Sequence, residues 1–335
     1  MKLHLAALLA VAGIAQAQTL SPDALASCAR IDDRAARLKC YDRLAGRETD
    51  APSPLLPVVP ADDPQSSVID NRWSFGAAAR DGRFDFRPHR PSYFLGANYT
   101  YATNTLPSSP SKPALTAPLD IKALEAKFQV SFKVKLLELP ESLPGFPDAA
   151  VWGGYTQQSL WQIYNAGQSR PFRETNYEPE LMLAAPRNVD VFGWRWRLVA
   201  LGVNHQSNGR SEPLSRSWNR VVAQFGFEQG NFAVLLRPWL RISEDAAKDD
   251  NPDITRYLGY GDASVSYHYG AHSFSVLGRY RPDTGKGAAQ LSWHFPLQRG
   301  VRGYLQAFTG YGDSLIDYNV RQNTLGIGIS LADFW

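Results

Sequence analysis

Three residues within one short stretch have the types that hydrolyse an ester: His205, Ser207 and Asn219. A serine hydroxyl is a poor nucleophile until a base takes its proton, and that base needs a third group to fix its tautomer. On an extended strand residues i and i+2 share a face, so His205 and Ser207 project side by side. If the chain turns back after Gly209 as a neighbouring strand, Asn219 comes alongside His205. Its amide oxygen then accepts the Nδ1–H of the imidazole and leaves Nε2 free for the Ser207 proton. An amide carries no negative charge, so Asn219 orients the base without strongly stabilising an imidazolium.

A His-x-Ser pair alone is commonplace in strands, and parity is what joins these three. Back from His205 one face reads Val203, Leu201 and Val199, while Asn219 lies in step with Val221, Ala223, Phe225 and Phe227. Polar groups that end two apolar stripes are costly against a dry core or lipid unless they bond each other or do a job.

The elements that must position them have period two. Phe128, Val130, Phe132, Val134 and Leu136 interleave with Lys127, Gln129, Ser131, Lys133 and Lys135, one face apolar and the other polar. About twelve such segments lie near 92–103, 123–137, 148–163, 175–187, 192–207, 216–229, 231–243, 254–269, 272–282, 286–296, 300–311 and 321–335. They are longer than the usual strands of soluble sheets, even in number, and joined by links that alternate between tight turns and longer loops. The final segment alternates and stops on Phe334-Trp335, an ending that barrel assembly machinery reads. The fold class expected is therefore all-β, a 12-stranded antiparallel transmembrane β-barrel of the outer-membrane type with a short N-terminal helical and linker extension. A soluble β-sandwich conflicts with that ending and with apolar faces on nearly every strand.

Residues 1–17 read as a signal peptide, a lysine followed by an apolar run and Ala15-Gln16-Ala17. Residues 18–82 read as a periplasmic helical segment bearing Cys28 and Cys40, expected to be disulfide-bonded, then a Pro-rich linker; residues 83–335 read as the barrel. A net charge of +3 and dispersed arginines give no basic stripe, so no nucleic-acid partner is expected.

His205-x-Ser207-Asn208-Gly209-Arg210-Ser211 together with Ser215-Arg-Ser-Trp-Asn219-Arg resembles bacterial outer membrane phospholipase A. Pro171-Phe-Arg-Glu-Thr-Asn-Tyr-Glu-Pro179, Asp249-Asp-Asn-Pro-Asp-Ile254 and Gly310-Tyr-Gly-Asp-Ser-Leu-Ile-Asp-Tyr318 follow the same pattern. The resemblance implies hydrolysis of sn-1 and sn-2 acyl esters of outer-membrane phospholipids, with Ser207 as nucleophile, His205 as base and Asn219 as orienter. It also implies Ca2+, one site per active centre, held by the Arg210 carbonyl, Ser215 and Ser169 reaching from a second subunit, with Asp250 serving a related site. Oxygen ligands suit that cation. The Gly209 N–H would help hold the oxyanion. An active homodimer follows too, with Gln157 at its interface. Glu212 departs from the Asp common in relatives. The alternative is a catalytically silent barrel acting as a passive pore, whose mark would be loss of a triad member.

Overall fold

The computed structural model describes residues 22–44, 67–75, 84, 86–139, 148–297 and 301–332. The expected signal peptide, most of the linker and the terminal Phe334-Trp335 lie outside the described residues. The chain divides into two compact units, Met1–Asp62 and Asp63–Trp335.

In the first unit, α1 (Pro22–Ala29) and α2 (Arg34–Leu44) form a hairpin stapled by a Cys28–Cys40 disulfide, with the two Cα atoms 5.5 Å apart. So short a helix pair buries too little to hold itself, and the covalent link supplies what the core lacks.

The second unit is a closed antiparallel barrel. Its strands are β1 (Phe86–Pro88), β2 (Ser92–Thr100), β3 (Leu124–Glu138), β4 (Ala150–Trp161), β5 (Phe172–Val191), β6 (Trp194–Ser207) and β7 (Ser217–Gln229). The circuit continues with β8 (Phe232–Ile242), β9 (Gly261–Tyr269), β10 (His272–Arg281), β11 (Lys286–Pro296), β12 (Arg302–Tyr311) and β13 (Arg321–Ala332). Each long strand pairs with its sequence neighbours, and β13 pairs with β2, which closes the sheet. The short β1 and β2 lie end to end along β3, with Phe86 opposite Val134 and Tyr93 opposite Gln129, so the wall is twelve strands around. Pro88 and Pro91 bracket the break between them because neither can donate to the ladder.

Parity is set by the barrel wall. Lys127, Ser131, Lys133 and Lys135 point inward and are buried, whereas Val130, Leu136, Leu201, Val203, Leu240, Val276, Leu291, Leu325 and Ile327 are exposed on the outer wall. The apolar stripes thus face outward. The inside holds a network of ions: Arg90 holds Glu178 through two 2.7 Å bonds, Arg220 adds a 2.8 Å bond to Glu178, and Lys127 reaches Asp313 at 2.6 Å. Buried charges are tolerable only when paired in this way.

Two expectations are corrected. Residues 254–258 do not begin a strand: Thr255–Leu258 forms a helical turn, α4, and β9 starts at Gly261. Ile254 and Leu258 are buried with Trp218, Trp239 and Tyr318, so this segment folds into the mouth of the barrel, where packing overrides alternation. The barrel unit also begins before residue 83. Helix α3 (Val68–Trp73), capped by the Ser67 hydroxyl, sits at the short-turn end with Ile69 and Trp73 buried among Trp152, Met182, Leu198 and Ala200. The Ile69 N–H donates to Glu228 at 2.7 Å, and Arg72 donates to the His89 carbonyl at 2.7 Å.

Candidate active site

Strands β6 and β7 pair with His205 directly opposite Asn219 and Ser207 opposite Ser217. Alternation puts Asn204 and Arg220 inward, both buried, and turns His205, Ser207 and Asn219 onto the outer wall at the long-loop end. His205 Nδ1 lies 2.8 Å from Asn219 Oδ1. Since an amide oxygen only accepts, Nδ1 carries the proton and Nε2 is the free, basic nitrogen. Among the described residues no hydrogen bond joins the Ser207 hydroxyl to His205; the two are i, i+2 neighbours on one face. Such bonds commonly tighten only when substrate arrives.

The wall behind this row is stiff. Asn204 donates to Glu178 at 2.8 Å and also accepts from Arg220, whose guanidinium stacks 4.0 Å over the Trp218 ring. A backbone braced from the lumen keeps the outward side chains in register.

Beyond Ser207 the chain leaves the sheet through a loop organised by Asn208. Its Oδ1 accepts from the Arg216 N–H at 2.9 Å and the Arg210 N–H at 3.3 Å, and its Nδ2 donates to the Leu214 carbonyl at 2.8 Å. Gly209 has φ +61, a conformation that favours glycine, and a Cβ there would lie 3.2 Å from the Tyr177 ring, a tight contact that the ring would have to give way to.

The same loop carries the oxygen donors. The Ser215 hydroxyl donates to Asp250 at 2.5 Å and that of Ser217 to the same carboxylate oxygen at 3.3 Å. Lys112, from the β2–β3 loop, bridges Asp250 and Glu212 with its ammonium 2.7 Å from each. Burial pushes the Asp250 carboxyl up, but Lys112 and the two serine hydroxyls outweigh it and hold it below the ordinary range, so it is anionic at neutral pH. Among the described residues no cluster of three or more His, Cys, Asp or Glu side chains forms. The oxygens gathered about the Lys112 ammonium are instead two carboxylates, one of them joined by two serine hydroxyls, a set whose chemistry suits a hard cation.

The remaining sequence-derived positions are spread apart. Ser169 is an exposed residue with φ 58 in the β4–β5 loop, not bonded to Arg210, Ser215 or Asp250 of its own chain. The Arg210 side chain is tied to the Arg173 carbonyl at 2.9 Å. Gln157 pairs with Val130 on the outer wall, where it accepts from the Tyr155 hydroxyl at 3.1 Å and donates to Ser159 at 3.4 Å.

Sequence reasoning missed Lys112, which lies far off in the chain and in a loop without pattern. It also missed Glu244, whose carboxylate accepts from Asn219 Nδ2 at 3.2 Å. No periodic signal pointed to it, since Glu244 lies in the loop that follows the end of β8 at Ile242.

A family model described as phospholipase A1 matches residues 69–331. The chain belongs to the phospholipase A1 family. It is 37% identical to a putative phospholipase A1 of Neisseria meningitidis serogroup B, over 91% of this chain and 90% of that protein. That share exceeds what the barrel unit alone supplies, so the relative also matches part of the N-terminal unit. The outer membrane phospholipase dimer of Salmonella typhi, solved with bound calcium, superposes with a TM-score of 0.68 at 38% identity, covering 75% of this chain and 94% of that one. The Escherichia coli outer membrane phospholipase A, in a form whose active-site asparagine is replaced by alanine, gives a TM-score of 0.69 at 37% identity, covering 80% and 98%. This phospholipase A1 family member is an outer-membrane barrel enzyme.

Proposed function

We propose that the chain hydrolyses sn-1 and sn-2 acyl esters of phospholipids and lysophospholipids in the outer membrane, using Ser207, His205 and Asn219 and depending on calcium. The observation that carries this reading is the cross-strand pair of His205 and Asn219, 2.8 Å apart, with Ser207 beside it on the lipid-facing wall. The active-site asparagine of the E. coli relative supports the role given to Asn219.

His205 Nε2 takes the proton of Ser207 as Oγ attacks the ester carbonyl, then returns it to the departing glycerol oxygen, leaving an acyl-Ser207. A water deprotonated by His205 attacks the acyl carbon, the carbon–Oγ bond breaks, His205 returns that proton to Ser207 Oγ, and the fatty acid leaves. Asn219 holds one imidazole tautomer through both halves. Because the row lies on the outer wall, acyl chains reach it sideways from the bilayer and no deep pocket is needed. The Gly209 N–H would donate to the oxyanion.

Calcium, when bound, would supply positive charge to the tetrahedral oxyanion. The Arg210 carbonyl, the Ser215 hydroxyl and Ser169 of the partner subunit would hold it, with Asp250 as a ligand of a related site. In this reading there is one such site per active centre, shared across a homodimer with Gln157 at the contact; the Salmonella relative, solved as a dimer with bound calcium, supports the dimer and the cation.

The test is fatty-acid release from phospholipid micelles by the refolded protein, with calcium or chelator, beside Ser207→Ala. Removing calcium or the hydroxyl should each abolish release, by at least about 1,000-fold for the nucleophile. Equal release by wild type and Ser207→Ala would overturn the triad.

A further inference from the structure

We infer that Glu244 is a fourth, charged member of the catalytic row, a positioning residue that acts on the base through Asn219. The inference rests on the triad reading above and deepens it.

The row crosses three chain segments. His205 stands on β6, Asn219 opposite it on β7, and Ile242 opposite Asn219 at the end of β8. Two residues beyond Ile242, past the end of β8, comes Glu244, whose Oε1 accepts from Asn219 Nδ2 at 3.2 Å. The amide is therefore held at both ends, Nδ2 by a carboxylate and Oδ1 by the imidazole at 2.8 Å. An amide flip would place its oxygen against the Glu244 carboxylate and its NH2 against the donor nitrogen of His205, breaking both bonds. Glu244 thus fixes which end of Asn219 meets the base.

The second consequence is electrical. A hydrogen bond to an ionised acceptor is stronger than a neutral one, and successive bonds in a chain polarise each other, more so at the edge of a low-dielectric wall. Negative charge on Glu244 pulls the Nδ2 protons and enriches Oδ1, which strengthens its hold on His205 when the imidazole gains the Ser207 proton. The charge that asparagine lacks is thus supplied one residue further out. Glu244 lies just past the exposed outer-wall stripe of Leu236, Leu240 and Ile242, so its carboxylate stands at the rim of the apolar wall, against the Asn219 amide.

Other charges flank the row without touching the amide. Asp250, neutralised by Lys112, accepts from Ser217 opposite Ser207, and Glu178 and Arg220 pair with each other on the lumen side. The outward charge on the Asn219 amide is that of Glu244.

The experiment uses the full chain refolded in detergent, with kcat and KM for a short-chain acyl ester measured from pH 5 to 9 at saturating calcium. The variants are Glu244→Gln and Glu244→Asp, each in the wild-type and Asn219→Ala backgrounds. Glu244→Gln keeps an acceptor but removes the charge. It should lower kcat about 10-fold, the rate equivalent of exchanging a charged for a neutral hydrogen bond, with KM unchanged. The acid limb of kcat/KM should move to lower pH, because the protonated base has lost a stabilising anion. Glu244→Asp should recover part of the loss, and with Asn219→Ala neither change should matter further. An unmoved pH profile, losses that multiply with Asn219→Ala, or altered calcium binding by calorimetry would each overturn the inference. The triad reading fails separately: a fluorophosphonate that labels Ser207 while Glu244→Gln behaves as wild type sinks this inference alone, and failure to label Ser207 sinks both.

Discussion

At the scale of single residues, the site is defined by which polar atoms are already engaged. His205 Nδ1 is engaged by Asn219, which leaves Nε2 as the ring nitrogen open to accept a proton. The Asp250 and Glu212 carboxylates are engaged by one ammonium, that of Lys112. A divalent cation ligated by Asp250 must therefore displace an internal monovalent one. Lys112→Met should tighten calcium binding about 10-fold, since the partly buried ion pair no longer competes for the carboxylates. Calorimetric titration or terbium luminescence checks this in the absence of substrate. Weaker binding in the variant would mean that Lys112 organises the loop more than it blocks it.

At the scale of elements, β6 and β7 present the row and the lumen ions brace it, while α3 closes the short-turn end. Trp73 meets Trp152 edge-on with centroids 5.6 Å apart, and the buried Lys133 ammonium, which makes no hydrogen bond among the described residues, sits 3.7 Å above the Trp73 ring. Cation–π attraction is worth most when the charge is desolvated in this way. Trp73→Ala should cost about 3–5 kcal/mol through the cavity left and the exposed apolar walls. The checking measurement is the urea midpoint of heat-modifiable gel migration. Because α3 lies at the end away from the row, fatty-acid release by the protein that stays folded should be unchanged.

For the whole molecule, the outer wall does two things at once: it meets lipid, and it offers Gln157 as a polar group among apolar neighbours. Gln157 satisfies itself within its own strand through Tyr155 and Ser159, so a lone barrel carries it without an unpaired amide. A second barrel would have to trade those bonds for ones across the contact. Gln157→Ala should weaken calcium-dependent dimerisation by about 1 kcal/mol, the worth of one hydrogen bond in lipid. Cross-linking yield in detergent, with calcium against chelator, reads it directly. Full dimer yield from the variant would place the contact elsewhere on the wall.

The sequence by itself determined the barrel, its strand count, the disulfide and the parity of the row. Alternation, link length and side-chain type are local properties, and a closed wall between lipid and a filled lumen enforces them at nearly every strand. A transmembrane barrel also sets the apolar faces outward, and Lys127, Lys133 and Lys135 turn inward accordingly, where the lumen supplies counter-charges and rings that lipid cannot. The sequence misread residues 254–258 as strand and set the barrel boundary too late. Ile254 and Leu258 at one end, and Ile69 and Trp73 at the other, fill a barrel whose empty volume exists only once the sheet has closed. Only the tertiary structure brought Lys112 to Asp250 and Glu244 to Asn219. Those contacts join loops and strand ends distant in the chain, and a charge in a loop has no period from which its partner can be read.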